Sequence, residues 1–94
     1  MEKQGKIFER LIHLSRVRGL QVKFAPLQCN YGRIKGDRVV IANNMTLEQI
    51  NMTLAHELSH SYLHYDKGNI LDNSSEYEEQ ANRAAGMLIA IAEI

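Results

Sequence analysis

Thr46 and Gln49 stand three residues apart in the Ser/Thr-x-x-Glu/Gln capping box that opens helices, and a helical period continues from them to about position 65. This helix constrains the chain more than any other segment. Taking roughly 100° per residue, Leu47, Ile50, Leu54 and Leu58 fall into one apolar stripe, with Tyr65 in line. The stripe is expected to pack on an N-terminal helix and a sheet. His56 and His60 are four apart and so stack on one side of the helix, well away from the centre of the stripe. That position argues against satisfied core histidines. It leaves two readings: solvated surface histidines beside a surface Glu57, or a pair of ligands.

Residues 56–60 read His-Glu-Leu-Ser-His, the H-E-x-x-H pattern in which two imidazoles grip one zinc ion. Glu57 follows the first ligand by one residue, where a carboxylate reaches a water on the metal and acts as general base. The pattern arises by chance in on the order of one chain in a hundred of this composition, so it needs support from the rest of the chain.

A structural zinc is usually closed by four protein ligands, whereas a catalytic zinc takes three and keeps one position for water. The third ligand must therefore come from outside this helix or from its far end. His64 is on the same side, but three imidazoles on one straight helix diverge along its axis. His64 would need the helix to break, and its plain role is at the helix C-terminus, against the dipole. The acidic cluster Glu76, Glu78 and Glu79 is the other source, at the start of a helix that a loop returns across the histidine face. These residues also have structural readings, since Glu78 completes a capping box with Ser75 and Glu79 pairs with Arg83 at i,i+4. Spacing alone does not choose among them.

Ninety-four residues, 45% hydrophobic and 23% charged, match a single globular domain over 1–94 with one modest core. The formal net charge is zero and neither half carries a basic run, which argues against direct nucleic-acid binding. Cys29 is the single cysteine, so no internal disulfide is expected, and no second Cys or His stands near it to make a zinc pair. No stretch has the length of a membrane span, and no apolar signal region follows Met1. A cytoplasmic protein in a reducing compartment is expected.

The remaining elements follow from periodicity. Residues 2–18 form an amphipathic helix with Ile7, Phe8, Leu11, Ile12, Leu14 and Val17 on one broad face and Gly19 as its stop. Leu20, Val22 and Phe24 alternate with polar residues, a short strand ended by Pro26. Residues 31–34 and 38–42 read as two strands joined by a tight turn at Gly36-Asp37. A polar loop covers 69–75, and a last helix over about 76–92 carries Ala81, Ala84, Ala85, Leu88, Ile89 and Ile91, small enough for close packing. The expected fold is α+β, a small antiparallel sheet packed with three helices.

Leu54-Ala55-His56-Glu57-Leu58-Ser59-His60, with Leu63-His64 behind it, is similar to the metal-binding helix of the ImmA/IrrE-type metallopeptidases. Their second motif, Glu-x-x-Ala-Asn on the next helix, is matched by Glu78-Glu79-Gln80-Ala81-Asn82, continuing into Arg83-Ala84-Ala85. The strand Val39-Val40-Ile41, the Asn residues after it and Thr53-Leu54-Ala55 also resemble the family, so the likeness covers nearly the whole chain. Ala84 departs from it, standing where an aromatic is common, and so does Met87-Leu88-Ile89-Ala90, where Leu-Leu-Met-Pro is usual. The last helix ends within the final residues, so no additional C-terminal domain is expected.

The resemblance implies a minimal zincin-like domain in which His56, His60 and Glu78 bind Zn²⁺ and Glu57 is the catalytic base. It further implies a regulatory endopeptidase that cleaves a helix-turn-helix repressor in a phage or mobile-element setting. Tyr62, Tyr77, His64 and Arg83 are candidates for steadying the oxyanion. Two rivals stand beside this reading: a non-catalytic module that binds and displaces a repressor or another protein, and a zinc hydrolase acting on something other than a protein.

Overall fold

The computed structural model describes residues 3–28, 31–63 and 74–94, apart from the side chains of positions 74 and 75. Cys29, His64, Tyr65 and positions 69–73 of the polar loop therefore lie outside the described residues. The first helix, α1, covers Lys3–Val17. It ends in a Schellman motif, in which Leu20 N donates to Ser15 O at 2.8 Å and Gly19 N to Arg16 O at 3.0 Å. Gly19 takes φ 83°, the left-handed turn this closure needs. The buried ridge of α1 is Ile7, Leu11 and Ser15, at strict i,i+4 spacing. Ser15 serves there because its hydroxyl donates back to Leu11 O, whereas Val17, expected on the apolar face, is exposed.

Three strands follow: β1 (Gln21–Ala25), β2 (Gly32–Lys35) and β3 (Arg38–Ala42). β2 and β3 form the expected antiparallel hairpin, with a positive φ at Gly36 alone of the two turn residues. The sheet as a whole is mixed rather than antiparallel. β3 lies in the centre and β1 pairs with it in parallel, from Gln21↔Arg38 to Ala25↔Ala42. The hairpin turn fixes only its own two strands. The chain from β1 must pass the end of β3 to reach the far edge, so β1 runs the same way as β3. At that end Asn43 N donates to Ala25 O and Ala42 N to Tyr31 O, which ties both neighbours to the central strand.

The second helix, α2, covers Leu47–Leu63 and opens with the expected capping box. Gln49 N donates to Thr46 Oγ1 at 3.2 Å, and Thr46 N donates to Gln49 Oε1 at 3.0 Å. The third, α3, covers Ser74–Ala92, beginning slightly before the expected start. The core gathers Ile7, Leu11, Val39, Ile41, Leu54, Leu58 and Ala85, drawn from all three helices and the central strand. Burying each large aliphatic side chain contributes about 1.5–3 kcal/mol.

Of the expected apolar stripe of α2, Leu54 and Leu58 are buried, Ile50 is half-buried and Leu47, in the first turn, is exposed, while burial extends to other faces of the helix. Asn51, Leu54, Ala55, Glu57, Leu58, Ser59, His60 and Ser61 are all buried. Ala81 and Ala85, both fully buried, let α3 pack closely against α2. Basic residues of α1 hold the far end of α3: Arg10 donates to Ala92 O at 3.0 Å, Lys6 donates to Ile94 O, and Lys3 pairs with Glu93. These contacts satisfy and charge-balance the carbonyls at a helix C-terminus. No helix among the described residues is long and apolar enough to cross a membrane.

Candidate metal centre

The histidine side of α2 faces α3, not solvent and not the aliphatic core. His60 is 3% exposed and His56 19%, so the reading of two solvated surface histidines does not hold. Polar side chains of α3 fill the space opposite them. His56 Nε2 lies 2.8 Å from Glu78 Oε2, His60 Nε2 lies 2.9 Å from Glu78 Oε1, and the two imidazole nitrogens are 3.1 Å apart. The rings meet edge to face at 85°. His56, His60 and Glu78 each turn a ligand atom toward one point, all within 4.8 Å of one another.

The other side of the His56 ring shows what this cluster can hold. His56 Nδ1 is 2.8 Å from Asn82 Oδ1, an oxygen that only accepts, so Nδ1 carries a proton. In the neutral imidazole Nε2 then presents a bare lone pair to a carboxylate oxygen and a second imidazole. Acceptors gathered this closely are held by protons on the rings or by a metal cation. In a tetrahedral zinc site with bonds of 2.0–2.1 Å the ligand atoms stand about 3.3–3.4 Å apart. The observed separations fall a few tenths of an ångström short of that, so a slight opening of the cluster accommodates an ion. The donor set fits a divalent metal.

Glu57 is 6% exposed and sits one turn beyond Thr53 on the side of α2 facing β2. Burial pushes its carboxyl up to about 7; the nearby His56 pulls it down and the Glu78 charge adds to the rise. Among the described residues no hydrogen bond or ion pair holds this carboxylate. Packing alone positions it.

Other residues singled out in the sequence fall elsewhere. Glu79 pairs with Arg83 at 2.7 Å on the exposed face of α3, the structural role open to it. Glu76 is exposed. The Tyr62 ring lies under the Arg18 guanidinium at 4.6 Å, and Arg18 also bonds Ser61 Oγ and Ser61 O. Tyr62 is thus engaged with the chain after α1 rather than with the cluster. Tyr77 is half-buried. Asn82, absent from the candidate site residues read from the sequence, also joins the cluster through its contact with His56. Its signal was present, for it stands four residues after Glu78 and so shares that face of α3.

A family model described as the IrrE N-terminal-like domain, Peptidase_M78, matches residues 8–93. The chain belongs to this family. It therefore carries a metallopeptidase-like domain of a metal-dependent family, in an α+β arrangement of three helices and a three-stranded mixed sheet. Comparison with curated proteins and with solved structures gives no match. Within the Peptidase_M78 assignment the two motifs acquire a spatial sense. His-Glu-x-x-His supplies two imidazoles and the buried carboxyl of Glu57, while Glu-x-x-Ala-Asn supplies the facing carboxylate, the small Ala81 at the helix contact and the acceptor for His56.

Proposed function

We propose that the chain is a zinc-dependent endopeptidase, and the observation that carries this is the convergence of His56, His60 and Glu78 beside the buried Glu57. His56 and His60 would hold the ion through Nε2 and Glu78 through its carboxylate, with Asn82 fixing the His56 tautomer. Bound there, zinc supplies Lewis-acid polarisation of a carbonyl and lowers the pKa of water.

The chain's own residues supply the proton transfers. Glu57, with its carboxyl tuned near neutrality by burial, takes the proton of the attacking water and delivers it to the leaving amine. Glu78 is 48% exposed, so the cluster opens toward solvent on the α3 side and an extended substrate can reach it. β2 is an edge strand running past Glu57 at Gly32. A strand with an unpaired side can bind an extended peptide by strand addition, which favours a peptide over a small molecule as substrate.

The family resemblance supports a narrow substrate range, and the substrate class proposed is a helix-turn-helix repressor of a phage or mobile element. The test compares zinc-loaded wild type with Glu57→Gln on such a cognate repressor. Two defined fragments from wild type and none from the variant are expected. A stoichiometric complex with the repressor intact would replace the protease with a non-catalytic binding module.

A further inference from the structure

Gly32 opens the edge strand β2 with its bare Cα against α2, beside Thr53 and the catalytic candidate Glu57. A Cβ built there would lie 2.7 Å from Thr53 Cγ2, 3.3 Å from Ile41 Cδ1 and 3.3 Å from Glu57 Oε2. Glycine within a strand commonly marks such a close approach. Thr53 and Glu57 are one turn apart on α2, so Gly32 sits over the groove between them.

The three neighbours differ in how firmly they are held. Thr53 Oγ1 donates to Gln49 O at 2.8 Å, which locks its rotamer and aims the methyl at the strand. Ile41 is fully buried in the core and is the cross-strand partner of Gly32. Glu57 has no bond to the described residues that fixes its carboxylate. A side chain at position 32 therefore clashes first with the Thr53 methyl and also presses on Glu57, the softest of the three neighbours.

We infer that Gly32 is a positioning residue for Glu57: the side-chain-free Cα of the edge strand sets where the carboxylate rests relative to the histidine cluster. This rests on the proposed role of Glu57. The contact itself exists whether or not the chain is a protease, and the two can be tested apart.

The experiment uses Gly32→Ala, Thr53→Ser and the double variant. Serine keeps the Oγ1 bond and removes the methyl that stands 2.7 Å away, so the double variant isolates the contact with Glu57 from the clash with Thr53. In metal-free protein the carboxyl ¹³C resonance of Glu57, assigned by its loss in Glu57→Gln, is expected to move in Gly32→Ala and in the double variant. It is expected to stay in place in Thr53→Ser. Zinc stoichiometry should be unchanged in all three. With a cleaved repressor in hand, the double variant should lose about three- to tenfold in kcat at unchanged KM, since sub-ångström misplacement of a reacting group is costly. A Glu57 resonance at its wild-type position in the double variant would overturn the inference and leave Gly32 as a packing residue for Thr53. Failure of wild type to bind zinc or cleave would remove the protease reading, with the resonance still reporting on the contact.

Discussion

His56 Nδ1 and Asn82 Oδ1 lie 2.8 Å apart, joining the first histidine of α2 to the last residue of the second motif on α3. The bond turns Nε2 toward His60 and Glu78 with its lone pair free. Asn82→Ala leaves the ring without an acceptor and free to take the other tautomer. Zinc affinity is expected to fall about 10- to 100-fold. Asn82→Asp, which keeps an accepting oxygen, should retain most of it. Competition titration with a chromophoric chelator reads both, and equal affinity of Asn82→Ala and wild type would deny Asn82 this role.

Glu78 and Glu79 are adjacent in sequence but face different surroundings, one between the histidines and one bonded to Arg83. Native mass spectrometry of Glu78→Ala is expected to show loss or strong weakening of the bound zinc. Glu79→Ala should bind one zinc per chain as wild type does. Its exposed ion pair contributes no more than about 1 kcal/mol to stability. Retention of zinc by Glu78→Ala at wild-type affinity would mean that the third ligand comes from another residue.

In the metal-free chain burial raises the Glu57 carboxyl from 4.5 to about 7. Between those values the folded state binds more protons than the unfolded one. Stability therefore falls as pH rises through that window. Glu57→Gln removes the dependence. The variant should gain on wild type by on the order of 3 kcal/mol once the pH is above the raised value, and show no such gain below the ordinary one. Urea unfolding at matched pH measures the difference, and a gap that does not vary with pH would exclude a raised carboxyl.

Ala81 and Ala85 are fully buried where α3 meets α2. Ala81→Leu forces extra volume into that contact and is expected to cost about 1–3 kcal/mol of stability. It should also weaken zinc binding, because it lifts Glu78 and Asn82 away from the histidines. Met87→Leu on the exposed side of α3 should change stability by no more than about 0.5 kcal/mol. Thermal unfolding of the metal-free proteins, followed by zinc titration, separates the two effects. Full zinc affinity in a destabilised Ala81→Leu would uncouple the helix contact from the site.

Much of this chain is written locally. The capping box at Thr46 and Gln49, the Gly19 closure and the Gly36 turn each depend on residues within a few positions of one another, and all three form as the sequence indicates. The three helices and the β2–β3 hairpin were legible for the same reason. The candidate ligand set was legible less directly. The His-x-x-x-His spacing placed two imidazoles on one side, but only the family likeness separated Glu78 from Glu76, Glu79 and His64.

What the sequence by itself determined was the set of elements and the types of chemistry they carry, since both follow from periodicity and from residue identity. Tertiary structure decided the rest. It set β1 parallel to β3, because the pairing of a strand outside the hairpin depends on how the chain crosses the sheet. It buried His60 and Glu57 on a face that helical periodicity alone would leave to solvent, because α3 and β2 close over it. The same closure brings Asn82 to His56 and Gly32 to Glu57, contacts that span tens of residues and that no local pattern encodes.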